Sequence, residues 1–149
     1  MKRKKPSAPC YQKALGILAA AEHSTEGLRR KLLLRGYAEE ETEEALARLA
    51  AENYLNDRRF AELWIEFRMR RRDEGRRRLA EGLKRRGIDR QTADSAAAAA
   101  AATDEYRACL LRAWEKARAA GCEEEAALVS LLVRKGFSRS EIHACRDAT

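Results

Sequence analysis

The chain has 149 residues, with 31 Lys and Arg against 24 Asp and Glu, 45% apolar but only 6% aromatic residues, and two prolines. That length allows one average domain or several small units in a row, and the composition suits a chain made almost wholly of helices. No window sustains period-two alternation and no run reaches the roughly 18 apolar residues of a membrane span, which excludes a sheet protein and a transmembrane helix and points to a soluble, cytoplasmic, all-α protein.

The opening "MKRKKPSAP" carries the charge of a signal peptide without its apolar stretch, and residues 1–9 are read as a basic disordered tail. An amphipathic helix over 11–22 follows, then "LRRKLLLRGY" at 28–37, a helix that stops at Gly36. A helix over 38–52 begins at Ala38 without an obvious cap, although the glutamates at 39–41 suit the positive helix end. Asn53 can serve as a left-handed cap, and Asn56 or Asp57 starts the helix over 57–72. "LAEGLKRRGI" at 79–88 stops at Gly87, Asp89 caps what comes next, and seven alanines at 96–102 favour a small-residue contact between packed helices. A helix over 104–119 precedes "LVSLLVRKGF" at 128–137, which stops at Gly136, after which Ser138 and Glu141 stand at capping-box spacing.

Three copies of one pattern are therefore present. Gly36, Gly87 and Gly136 are 51 and 49 residues apart. Leu28, Leu79 and Leu128 lie eight residues before them; Leu32, Leu83 and Leu132 lie four before. Arg35, Arg86 and Lys135 lie one before, and Tyr37, Ile88 and Phe137 one after. Leucines four apart share a helix face, the cation suits the helix C-terminus, and glycine takes the left-handed cap. The expected fold is three tandem three-helix repeats in an elongated, curved array: 10–56, 57–103 (basic) and 104–149. Units of this size are near the lower limit of independent stability and lean on one another.

The charge is uneven. Residues 37–57 hold seven acids and one base, Arg48, whereas 68–90 hold eleven bases against Asp73, Glu74, Glu81 and Asp89. Within that basic stretch Arg68, Arg70, Arg71, Arg72, Arg76, Arg77, Arg78, Lys84, Arg85 and Arg86 form the candidate surface for phosphates or an acidic protein patch. Arg68, Arg71 and Arg72 share one side of their helix; exchanging all three for alanine is expected to leave helicity and melting nearly unchanged while weakening the binding function. A solvated face paired with Glu66, Glu74 and Glu81 is the competing reading. Trp64 is assigned to packing because it lies among Phe60, Ile65 and Phe67, and Trp114 because it follows Leu110 and Leu111.

Catalytic signatures are missing: no glycine-rich phosphate loop, no HExxH, and two histidines, of which His23 suits a helix junction and His143 stands alone near Cys145. Cys10, Cys109, Cys122 and Cys145 form no CxxC pair and are read as reduced, with Cys109 and Cys145 as core residues. The expectation is a non-enzyme with no catalytic residue, metal or cofactor.

"EHSTEGLRRKLLLRGY" (22–37), "LARLAAENYLNDRRFAE" (46–62) and "LKRRGIDR" (83–90) resemble RecX, the bacterial regulator of the RecA recombinase. "YLNDRRFA" at 54–61 is the most specific piece, close to the family's YLDDxRFA; Tyr54, Leu55 and Phe60 in it are assigned to packing. Two departures stand out. Gly27 occupies the place of the glutamate that usually completes a capping box with Ser24, and "RRRDEGRRRL" at 70–79 lacks the family's Gly-x-Gly-Pro turn. The resemblance implies a modulator without catalytic function, in recombination, DNA repair and the SOS response; a monomer is expected, with dimerisation left open. Such a protein binds RecA and its filament on single-stranded DNA, lies along the helical groove, and restrains ATP hydrolysis and strand exchange. Contact with single- or double-stranded DNA stays open, and the rival reading is a stand-alone helical nucleic-acid-binding protein.

Overall fold

The computed structural model describes residues 6–148, so most of the expected basic tail, residues 1–5, lies outside the described residues. Residues 6–9 are non-helical, and the Tyr37 hydroxyl donates to the Ala8 carbonyl at 2.7 Å. Among the described residues there are nine helices and no strand: α1 (Cys10–Ala20), α2 (Thr25–Leu34), α3 (Glu39–Ala51), α4 (Asp57–Arg72), α5 (Arg76–Arg85), α6 (Arg90–Ala101), α7 (Asp104–Ala119), α8 (Glu125–Arg134) and α9 (Arg139–Asp147). They make three three-helix units in tandem.

Each repeated column has its physical counterpart. The two leucine columns and the bulky residue after glycine are all buried, none of them more than 7% exposed. Gly36, Gly87 and Gly136 all have positive φ. The amide after each glycine donates back to the second leucine: Tyr37 to the Leu32 carbonyl at 3.3 Å, Ile88 to Leu83 at 3.1 Å and Phe137 to Leu132 at 3.2 Å. This is the Schellman closure, in which orphan carbonyls at the helix end are satisfied by the left-handed turn. Asn53 is left-handed with φ 60°, and Asn56, Asp89 and Ser138 accept from the amides three residues on. At Ala38, which has no side-chain acceptor, Glu41 reaches back to the backbone amide at 3.3 Å and supplies half of a capping box.

The cores are not divided three ways. The first unit has its own, built on Ala14, Leu28, Leu32, Leu46, Leu49 and Leu55. The second and third share one, running from Ile65, Leu79 and Leu83 to Tyr106, Leu132 and Ile142. The alanine run takes part as expected: Ala93 and Ala97 are fully buried, and Ala96, Ala100 and Ala101 pack against the shared core. Trp64 and Trp114 pack there too. Tyr54 departs from its packing assignment, because it lies in the turn between α3 and α4 and is largely exposed.

Both junctions use the same contact, the α1–α2 or α4–α5 turn of one unit against the glycine turn of the next. At the first, the Ser24 hydroxyl donates to the Arg86 carbonyl at 3.0 Å, and the Thr25 amide and hydroxyl donate to Asp57 at 2.7 and 3.0 Å. Arg59 pairs with Glu22 at 2.8 Å. At the second, the Gly75 amide donates to the Lys135 carbonyl at 2.8 Å and the Arg77 amide to the Gly136 carbonyl at 3.1 Å. Among the described residues no hydrogen bond or ion pair joins the first unit to the third.

Gly75 has an ordinary extended conformation, φ −86° and ψ 170°, so its requirement is space: a Cβ would overlap the Gly136–Phe137 peptide. Gly75→Ala is expected to lower stability by about 2–3 kcal/mol through forced separation of the two turns. Gly16→Ala, inside α1 with nothing within 4 Å of the new carbon, is expected to raise it by about 0.5–1 kcal/mol. Thermal melts of the two variants check both signs.

Candidate interaction surface

The turn that replaces Gly-x-Gly-Pro is Asp73-Glu74-Gly75, and all three residues are buried. Asp73 takes the left-handed conformation at φ 49° with 2% exposure, and its carboxylate accepts from Arg112 Nε at 3.0 Å and from Lys116 Nζ at 2.5 Å, both on α7. An aspartate can thus stand where glycine would be easier, because it gains two cations from the neighbouring unit. Around it the last carbonyls of α4 are satisfied by the third unit: Arg112 donates to Met69 at 3.2 Å and Lys135 to Arg72 at 3.2 Å. The Cys109 thiol lies 3.6 Å from the Met69 carbonyl. Burial, with the Asp73 charge second, pushes that thiol up to about 11, so it stays protonated and can donate.

This geometry sorts the ten cations. Arg68 belongs to the scaffold: its guanidinium makes two bonds to Glu74, at 2.8 and 2.6 Å, and lies 5.3 Å from the Trp64 ring centre. Arg78 comes within 4.0 Å of the same carboxylate. Arg86 lies 4.9 Å from the Trp64 ring centre, and Trp64 packs over Gly82, whose missing side chain leaves room for the indole. Arg77 bridges to Glu81 at 3.2 Å and to the Val133 carbonyl at 2.9 Å, and Arg70 pairs with Glu66 at 2.6 Å. Lys84 pairs with Asp94 at 2.8 Å and thereby holds that carboxyl below its usual range.

Arg71, Arg72, Arg76 and Arg85 have no carboxylate in ion-pair distance among the described residues, and all are exposed. The turn gathers Arg71, Arg72 and Arg76 at one end of the helix pair. Lys84, Arg85 and Arg86 stand at the far end of α5, about 13 Å along its axis at 1.5 Å per residue. The ten therefore divide into one group without ion-pair partners at the turn, Arg71, Arg72 and Arg76, a single such residue at the far end, Arg85, and six that are paired or stacked.

Other residues fall where sequence logic places them, or miss it for a visible reason. His23 sits in the α1–α2 turn with Nδ1 2.8 Å from the Ala21 carbonyl and Nε2 2.7 Å from Lys31 Nζ, a helix-junction role. Ile65 is buried and Phe60 partly so, but Phe67 is 57% exposed and Leu63 47%. The signal was present, since α4 carries apolar residues at 60, 61, 63, 64, 65, 67 and 69, more than one buried face can hold. A groove of about 690 Å³ floored by Ala96, Ala99 and Ala100 runs between α4 and α7, with charges of both signs on its rims. Among the described residues no group of His, Cys, Asp and Glu is arranged to hold a metal, and no helix is long and apolar enough to cross a membrane.

The expectation that Arg68 can be lost along with Arg71 and Arg72 at no cost is revised, because Glu74 is buried and Arg68 is its principal partner. Arg68→Ala is expected to cost about 1–3 kcal/mol by leaving that carboxylate under-satisfied. Arg85→Ala should stay within about 0.5 kcal/mol, as for any unpaired surface side chain. Urea melts of the two single variants separate scaffold from surface.

Comparison with known proteins agrees with this architecture. Residues 10–49 match the model of the RecX first three-helix domain and residues 56–96 that of the RecX second three-helix domain. The chain is 36% identical over 133 residues to the regulatory protein RecX of Ralstonia pickettii (strain 12J), covering 87% of this chain and 81% of that one. It is 31% identical over 138 residues to the regulatory protein RecX of Neisseria gonorrhoeae (strain NCCP11945), covering 93% and 89%. Its fold matches the crystal structure of RecX from Lactobacillus salivarius with a TM-score of 0.81 at 22% identity, over 93% of each chain. On sequence and fold together, the chain belongs to the RecX family of regulatory proteins.

Proposed function

We propose that this protein binds RecA and the RecA filament on single-stranded DNA and restrains ATP hydrolysis and strand exchange, as a regulator of recombination and repair without catalysis of its own. The observation that carries the proposal is the group of exposed arginines without ion-pair partners on α4 and α5, Arg71, Arg72 and Arg76 at the turn with Arg85 at the far end, in a chain of this family. Uncompensated guanidinium groups on a rigid helix pair are suited to carboxylates or phosphates along an extended anionic partner. The working units are 10–56, 57–103 and 104–149, with the basic tail before them, acting as a cytoplasmic monomer. Three units joined by the same contact twice make a long surface for a long partner. No cofactor enters the reading.

The same arginines suit naked DNA, so the test must separate the two partners. RecA-dependent ATP hydrolysis on single-stranded DNA is titrated with this protein far below the concentration of free DNA sites, at fixed salt. Inhibition at those ratios is expected, since covering spare DNA cannot produce it. Exchange of Arg71, Arg72 and Arg76 for alanine, which leaves Glu74 paired, is expected to raise the half-inhibiting concentration about tenfold or more. Full inhibition by that folded variant contradicts the site. No inhibition by the wild type, alongside tight binding to naked DNA, favours the stand-alone nucleic-acid-binding protein.

A further inference from the structure

Leu63 and Phe67 are spaced one turn apart on α4, off the stripe of Ala61, Ile65 and Met69 that faces the core. Both are about half exposed, while the other exposed large apolar side chains, Leu34 and Tyr54, stand on different elements. One turn further on, the Arg71 guanidinium lies 5.9 Å from the Phe67 ring centre. Leu63, Phe67 and Arg71 therefore follow one ridge at i, i+4 and i+8, beginning apolar and ending in a cation without a carboxylate partner among the described residues.

We infer that this ridge is a protein-docking helix face, with Leu63 and Phe67 as anchors for an apolar groove and Arg71 and Arg72 meeting carboxylates at one end of it. The inference rests on the function proposed above and names which partner the basic surface meets first. Three arguments select a protein over a nucleic acid. Phosphates need cations alone, and a leucine offers no π-face on which a base can stack. Apolar side chains at helical spacing are the pattern by which a helix seats in a hydrophobic groove. Aromatic and arginine side chains side by side are typical of the few residues that dominate protein–protein affinity. Trp64, the aromatic better suited to bases, is already occupied by packing over Gly82 and by Arg68 and Arg86.

The test uses the full chain carrying Leu63→Ala and Phe67→Ala, with circular dichroism to establish that the helices are intact. Two affinities are measured: for DNA-free RecA, and for a fluorescent oligothymidylate. The expected result is a loss of about tenfold or more in RecA affinity with oligonucleotide binding changed less than about twofold. Unchanged RecA affinity overturns the inference and leaves the proposed function standing. An equal loss for the oligonucleotide overturns it in favour of base stacking. Failure of the wild type to bind RecA overturns the proposed function, and this inference with it.

Discussion

The contact on which the structure depends is the meeting of the α4–α5 turn with the α8–α9 turn. At the start of α5, the amides of Arg76 and Arg77 have no partner within their own helix; just past the end of α8, the carbonyls of Lys135 and Gly136 lie beyond the Schellman closure and likewise need donors. The fold joins these two sets of orphans. Arg77 donates to Gly136, Gly75 to Lys135, and Arg76 to the Tyr106 hydroxyl at 2.8 Å. Burial raises the Tyr106 phenol above its ordinary value, so the hydroxyl keeps its proton and can pass a bond to Glu141 at 3.3 Å while accepting from Arg76. The negative end of one helix also faces the positive end of the other, which favours the same arrangement. Two glycines let the backbones meet, and Asp73 and Glu74 bind each side of the turn to its surroundings.

From that contact comes the division of labour among the cations. Because Asp73 and Glu74 point inward, Arg68, Arg78, Arg112 and Lys116 are drawn to them and become part of the scaffold. Arg71, Arg72 and Arg76, which flank the same turn, are left facing outward. The middle unit thus offers a surface whose position is set by ion pairs to two buried carboxylates but whose outward arginines make no ion pair of their own, the condition for binding an anionic partner without first breaking internal bonds. The shared core of the second and third units makes α4 and α5 a rigid platform for it.

Much of the fold was legible because its signals are local. A glycine after a leucine-spaced helix, an asparagine at Asn53 and a serine three before Glu141 each specify a turn whose geometry depends on neighbours in sequence. What was not legible depended on neighbours in space. Nothing in "RRRDEGRRRL" says that its two acids are buried, since the cations that neutralise Asp73 come from α7, some 40 residues away. For the same reason Arg68 could not be told from Arg72. Phe67 was placed with Trp64 among core residues, although a single helix cannot bury all of its apolar positions at once. Merging of the second and third cores leaves no trace in the repeated columns, which read alike in all three units.

On the proposal made above, the outer face of α4, rather than the ends of the array, meets the filament. Hydroxyl-radical footprinting of side chains, with and without RecA assembled on single-stranded DNA, tests it directly. Oxidation of Leu63 and Phe67 is expected to fall sharply when the filament is added while that of Leu34 and Tyr54 is unchanged. Equal oxidation of Leu63 and Phe67 in both states, or protection confined to Leu34, would contradict it.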